Sequence, residues 1–503
     1  MSLLVNPYAS PSFFSSPSVV GLGADEQELL DELVALWARK KPRNVLRGLY
    51  LDGKQQIKNL NIAVPDEIAD SLQIVVGWPE KAVFGLSNLC MWDGVVTPTG
   101  DENPFGLDDL LSANRFDVEI NETITSAMAN SVAFLTVSAG NVSIGEPPVV
   151  IMPFSAEWAS ALWDRRTRSI KAGLTIGDID YLGRPTSLSL FTRTATITCV
   201  GSRLGWMIED RAEHGLNRVP MEPVPFRPTL DRPFGRSRIS RQVMTIVDRA
   251  MRAALRMDIS SELFTAPGLL LNGITPEQWA EIQKWTWKLG TVRGLTRDED
   301  GETASVETIP QQSMEPFIAQ LRELAEEFAS ATSMPLSALG VVQDNPSSAD
   351  AIYAAKEDLV IEATNANRIT GYALSRVFQD AVMMRDGLTE MPDELGGVAA
   401  KWRNPAMPSI VSQSDAMVKQ ISAIPGLAAT DVAFEQLGYS AADIVRIRTQ
   451  MRRAQAADGL TSLLAKPATS STPGAEPSQS ASPTEPAAST PLPDLEGAPG
   501  DRS

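Results

Sequence analysis

Apolar residues recur along this chain in several rhythms, and each rhythm marks a different kind of element. From Asp25 to Arg39, Leu29, Leu33 and the pair Leu36–Trp37 fall three to four positions apart, the spacing of a helix with one buried face. The stretch "VPDEIADSLQIVVGWPEKAVFGLSNL" predicts two further helical pieces broken by Gly77 and Pro79. From Asp101 to Ser138 the pattern predicts a polar helix that gives way to the more alternating "AFLTVSAG".

Between Val142 and Pro225 the rhythm shortens. "PPVVIMPF", "RSIKAGLTI", "TSLSLFTRTATITCV" and "GWMIED" are β-branched segments parted by turn residues, and they predict a mixed sheet. The prolines of "HGLNRVPMEPVPFRPTLDRPFG" then forbid regular strand pairing and end it.

Helical spacing returns at Ser237, with Ile239, Val243, Ile246, Ala250, Ala253 and Met257 on one face up to Glu262. Such a helix is roughly 38 Å long. A compact insert follows, with strand-like "GLLLNG", a helix "TPEQWAEIQKWTWK" capped by Thr275 and Pro276, and strand-like "TVRGL" and "ASVETIP". A second helix is expected from Ser313 to Thr332. Asp344-Asn345-Pro346 opens a pattern sustained for about 40 residues, roughly 60 Å of helix, with Gly371 as the expected kink. Shorter helices are expected between Ile410 and Met451. The segment from Lys466 on, dense in Pro, Ser and Ala and free of aromatics, has the composition of a disordered tail.

Composition narrows the function classes. The chain has 503 residues, 43% of them hydrophobic, a formal net charge of −18, two cysteines and one histidine. No apolar run approaches the ~18 to 20 residues of a membrane span. The N-terminal segment lacks the basic, continuously apolar pattern of a secretory signal and is expected to be a flexible leader. Cys90 and Cys199 imply no disulfide framework and a reducing compartment. His214, expected in a solvated loop, is the only candidate for a histidine-based site. The acidic balance argues against general nucleic-acid binding.

One motif touches nucleotide chemistry. "GLYLDGKQ", Gly48 to Gln55, fits the glycine and lysine spacing of a phosphate-binding loop, but Gln55 stands where a Ser or Thr must ligate magnesium. A turn between a helix and a strand is the simpler reading. Paired acids such as Glu326-Glu327 mark solvated faces, and Trp279, Trp285 and Trp287 are either packing of the insert or a recognition patch.

The most informative stretch is "RPFGRSRISRQVMTIVDRAMRAALR", Arg232 to Arg256, with seven arginines and Asp248 as its one acid. On a helical wheel Arg238, Arg241, Arg249, Arg252 and Arg256 share a stripe with a near-absence of acids at i±4 to offset their repulsion, Asp248 at i−4 of Arg252 being the exception. It is either a solvated face or a surface awaiting carboxylates of another subunit, or phosphates.

"YLDGKQQI", "RPFGRSRISRQVMTIVDRAMRAALRMDISSELFTAPGLLLNG" and "MPLSALGVVQDNPSSADAIYAAKEDLVIEA", in that order, resemble the portal proteins of tailed double-stranded DNA bacteriophages. The similar group contains the portal of a Bacillus siphophage and is common in actinobacterial phages. The resemblance covers about Asp25 to Ala457. It implies an α+β, mostly α portal fold closing into a ring of about twelve subunits.

By analogy, 1–24 is the leader, 25–232 the wing, 233–267 the first stem helix, 268–312 the clip and 313–334 the second stem helix. Residues 335–403 carry the tunnel loop, the long tunnel helix and the return to the wing, 404–457 the crown, and 458–503 the tail. The resemblance places Arg236, Arg238, Arg241, Arg249, Arg252 and Arg256 at a subunit interface or facing DNA in the stem. It places Gln343, Asp344, Asn345, Ser347 and Ser348 in the tunnel loop, and Trp279, Trp285 and Trp287 on the clip's docking surface.

The implied partners are other copies of the chain, double-stranded DNA, the terminase large subunit, a head–tail adaptor, and the major capsid and scaffolding proteins. No membrane, cofactor, metal or catalytic residue is implied, and the implied setting is the virion's portal vertex, with the host cytoplasm during assembly. The competing expectations are a packaging ATPase using Lys54 and a different minor head or scaffold protein.

Overall fold

In the computed structural model, which describes residues 15–55, 74–97, 103–181, 183–264, 269–273, 276, 279–280, 305–308, 313–341, 354–406, 410–424, 426–439 and 441–464, the first helical pattern folds as α1 (Ala24–Leu51). It runs past Pro42, well beyond the expected end at Arg39. Leu30, Leu33, Val34 and Trp37 form its buried face.

That face rests on a six-stranded sheet. β1 (Val19–Val20) pairs in parallel with β9 (Gly205–Glu213), while β5 (Ala159–Asp164), β6 (Ser169–Ile176), β7 (Ser187–Phe191), β8 (Ala195–Ser202) and β9 form an antiparallel meander. Leu174, Ile176, Leu188, Leu190, Ile197 and Cys199 pack with the α1 residues in one apolar cluster. Each such fully buried side chain contributes about 1.5–3 kcal/mol.

A second sheet lies deeper. Pro79 falls in the first turn of α2 (Trp78–Ser87), so it starts that helix instead of breaking it. β2 (Trp92–Val96) follows, and the expected polar helix divides into α3 (Leu107–Ala113) and α4 (Phe116–Asn130). Ser131, at φ 87°, turns the chain into β3 (Val132–Ala139), whose residues 132–137 are all buried. β3 lies between β4 (Val149–Ser155) and β10 (Met221–Pro225). The prolines do not forbid pairing: Pro223 and Pro225 sit opposite Phe134 and Val132. β10 is an edge strand, where a missing N–H costs no ladder bond on the open side.

α5 (Arg241–Phe264) leads to β11 (Leu269–Asn272), which pairs antiparallel with β12 (Ser305–Thr308), and α6 (Glu315–Thr332) follows. The long-helix pattern gives α7 (Glu357–Asp386), 30 residues or roughly 45 Å; its expected start at Asp344 lies outside the described residues. α7 packs on the β10–β3–β4 sheet, with Leu374, Val377, Phe378, Ala381 and Val382 in the central core. Gly371 leaves room for a ring, since Trp402 Nε1 would come within 3.1 Å of a Cβ there. β13 (Ala399–Trp402) returns to pair with β2.

From Ser409 the chain forms a separate compact unit containing α8 (Ile410–Ala423), α9 (Asp431–Gln436) and α10 (Ala441–Leu464). Within it Arg448 Nε donates to Asp431 Oδ1 at 2.7 Å.

Candidate functional site

The arginine-rich helix is half of a pair. Ile246, Val247, Ala250, Met251 and Ala253 of α5 are buried in the same core as Leu324 and Phe328 of α6. Tyr50 at the end of α1 donates its hydroxyl hydrogen to Asp248 Oδ1 at 2.7 Å. Across the pair, Arg249 Nη1 meets Glu327 Oε2 at 2.6 Å. The acid that offsets Arg249 therefore comes from the other helix, not from i±4. Both groups are over a third exposed, which limits the pair to about 0–1 kcal/mol.

Arg238 does not belong to the exposed stripe, which corrects the wheel. The helix begins at Arg241, so helical spacing does not apply at 238, and Arg238 is 4% exposed. Its Nε donates to the Ala82 carbonyl at 2.7 Å, its Nη2 to the Thr332 carbonyl, and its Nη1 lies 2.6 Å from Glu362 Oε1. One guanidinium thus joins α2, the C-terminal end of α6 and α7. A cation suits the Thr332 carbonyl, which is unpaired within its own helix at the negative end of the helix dipole. Arg227 reaches the same Glu362 oxygen at 2.7 Å. Burial pulls the Arg238 pKa down, and Glu362 opposes that shift.

The preceding residues explain the "PFGRSR" wording. Gly235 has φ 69°, and a Cβ there would lie 2.1 Å from the Phe226 carbonyl oxygen. Arg236 N–H donates to that carbonyl at 2.8 Å, Ser237 Oγ to Ala129 O at 2.5 Å, and Arg238 N–H to Met128 O at 2.8 Å. The motif is a latch that fixes where α5 leaves the end of α4.

A second ionic group ties α7 to β10. Arg376 Nε lies 2.9 Å from Glu222 Oε1, and Arg218 Nε donates to Asp380 Oδ1 at 2.6 Å. Both acids are buried, which pushes Glu222 up to about 7 and Asp380 up to about 6 against the opposing arginines. Neither pair is evident from composition. The available signal is the placement of Asp380 among apolar residues on the buried side of α7, and of Glu222 within a strand.

Arg236, Arg241 and Arg256 are exposed and form no ion pair among the described residues, while Arg252 Nε donates to the Asp248 carbonyl at 3.1 Å. Trp279 is 48% exposed. Trp285, Trp287, Gln343, Asp344, Asn345, Ser347 and Ser348 lie outside the described residues. The phosphate-loop pattern is a helix end: Gly48 to Leu51 are helical, and Lys54 Nζ pairs with Asp52 at 2.8 Å. His214 is half-buried and not solvated, and burial pulls its pKa down. Among the described residues no group of three or more His, Cys, Asp or Glu could hold a metal, and no helix is long and apolar enough to cross a membrane.

The family model described as phage portal protein, SPP1 Gp6-like, matches residues 30–429, which include the latch, the helix pair and α7. The chain belongs to that portal protein family. Two relatives described as portal proteins agree. That of Mycobacterium phage D29 is 25% identical over 86% of this chain and 88% of its own length. That of Mycobacterium phage L5 is 25% identical over 90% of this chain and 92% of its own. Among solved structures, the neck of a native gene transfer agent particle computed with C12 symmetry overlaps 72% of this chain and 89% of its own at 14% identity and TM-score 0.43. The virion of the same kind of particle overlaps 70% and 86%, at 13% identity and TM-score 0.42. The α+β organisation and the portal assignment expected from the sequence stand on the family match.

Proposed function

We propose that copies of this chain close into a ring of about twelve at one capsid vertex, forming the conduit for packaging and ejecting double-stranded DNA. The carrying observation is the charge on the α5–α6 pair. Arg241 and Arg256 on α5, and Glu315 and Glu323 on α6, form no ion pair among the described residues. Two unlike surfaces on one chain suit a head-to-tail contact, the kind that closes into a ring when the rotation allows. The basic row of one copy then meets the acidic row of the next.

In this reading α5 and α6 are the stem helices, the segment between them is the clip, and α7 carries the tunnel loop at its N-terminal side. Trp279, Trp285 and Trp287 offer the docking surface for the terminase large subunit and, later, the head–tail adaptor. Gln343, Asp344, Asn345, Ser347 and Ser348 line the tunnel loop, residues 404–457 form the crown, and major capsid and scaffolding proteins surround the assembly. The chain itself hydrolyses nothing; ATP is consumed by the terminase. Assembly takes place in the host cytoplasm. At −18 per copy, about twelve copies carry a charge on the order of −200, which discourages lasting phosphate contacts in a conduit away from local clusters of basic side chains. Negative-stain electron microscopy of the purified chain tests the ring directly.

A further inference from the structure

The C-terminal half of α1 carries a second concentration of positive charge. Arg39, Arg43 and Arg47 are spaced at i, i+4 and i+8, so they follow one another along one face at steps of about 6 Å. Lys40 lies beside them, and Arg39, Lys40 and Arg43 are exposed. Arg232 comes from the turn before the latch. After burial, the larger cause, Arg43, Arg39, Arg47 and Arg232 each lower the Lys40 pKa, which places all four close to it. Arg47 Nη1 is held by the Asn130 carbonyl at 2.8 Å, and burial pulls it down to about 10, still protonated at neutral pH.

None of these five cations forms an ion pair among the described residues. Elsewhere on the chain Arg211, Arg218, Arg249, Arg376 and Arg403 meet Glu26, Asp380, Glu327, Glu222 and Asp93. The helix dipole does not account for the cluster, because its effect is confined to the last turn, which holds no base. Nor does the surface offer the apolar anchor of a protein interface: Lys41 fills the space between the Trp37 and Trp158 rings, at 4.7 and 4.5 Å from their centroids.

We propose that Arg39, Lys40, Arg43, Arg47 and Arg232 form a docking patch for the phosphate backbone of double-stranded DNA, distinct from the α5 row. The choice of ligand rests on the conduit reading above. Duplex DNA carries a charge every ~1.7 Å, so the ~12 Å from Arg39 to Arg47 faces several phosphates, and arginine forks match phosphate oxygens. Because exposed charges are screened beyond ~8 Å at physiological salt, the acidity of the rest of the chain does not cancel a local patch.

The test uses the full chain and a short fluorescent duplex, with anisotropy measured across a salt series. Wild type binds with affinity falling as salt rises. Arg39→Gln with Arg43→Gln lowers the slope of log affinity against log salt by about two and weakens binding at least tenfold, with circular dichroism unchanged. Arg232→Gln alone, on a separate segment, produces a smaller loss in the same direction. Arg165→Gln with Arg166→Gln, in an exposed turn of the six-stranded sheet, leaves binding intact. The inference is overturned if the patch variants bind DNA like wild type, or if the turn variant loses as much. Patch variants that retain DNA binding but lose ring formation would make the patch a contact between copies. A ring without patch-dependent DNA binding sinks this inference alone and leaves the ring proposal standing.

Discussion

Arg238 Nη1 lies 2.6 Å from Glu362 Oε1, and the two side chains, 2% and 9% exposed, join the segment before α5 to the long helix α7. The same guanidinium holds the end of α6 through Thr332 and α2 through Ala82. The three helices expected to form stem and tunnel thus meet at one buried charge. Arg238→Ala leaves two carbonyls unsatisfied and Glu362 with only the half-exposed Arg227, and is expected to cost about 2–4 kcal/mol in chemical denaturation. Arg236→Ala, two positions away and exposed, stays within about 0.5 kcal/mol. Equal effects would refute the distinction.

The Glu222–Arg376 pair makes stability depend on pH. The folded Glu222 carboxyl is raised to about 7 from an ordinary value near 4.5, so the folded chain holds its proton more tightly than the unfolded chain does. Its stabilising contribution is complete below pH 4.5 and is lost as pH rises through 7. Asp380, raised to about 6, acts in the same direction. Glu222→Gln removes the Glu222 titration. The Tm difference between wild type and this variant therefore shifts against wild type as pH rises from 4.5 to 7.5. A pH-independent difference would contradict it.

Gly235 separates two costs of a side chain. Gly145 also has a positive φ, 90°, but nothing lies within 4 Å of a Cβ there. Gly145→Ala is expected to cost about 1–2 kcal/mol from backbone strain alone. Gly235→Ala adds a collision with the Phe226 carbonyl and exceeds that clearly in an unfolding titration; matched values would mean that the latch relaxes freely.

Arg241→Glu with Arg256→Glu removes cations that no described carboxylate engages within the chain. Circular dichroism and the monomer's melting curve are expected to stay near wild type while the ring fraction in size-exclusion chromatography falls at least tenfold. Arg249→Glu differs, because it opposes Glu327 inside the same chain and loosens the α5–α6 pair itself by about 1 kcal/mol.

Periodicity carried the long elements well, since a buried face repeats at 3.6 residues whatever it packs against. α5 and α6 were legible for that reason, and the meander because its short β-branched segments are parted by turn residues. β3 showed as the more alternating end of the expected helix, but the helix-like flank before it hid the break at Ser131. β10 was missed because proline excludes a central strand but not an edge. The site divided along the same line. The arginine row was visible as composition, but Arg238 left it because Glu362 and Thr332, each some hundred positions away in the chain, claim its charge. The pairs Glu222–Arg376 and Arg218–Asp380 exist only once β10 lies against α7.

The central claim is that the chain completes itself only in a ring of its own copies. Mass measurement of purified protein combined with negative-stain imaging tests it most directly. The account predicts annular particles whose mass is about twelve times the 54.3 kDa chain. A species of single-chain mass under every assembly condition, with no annulus in any field, would contradict it.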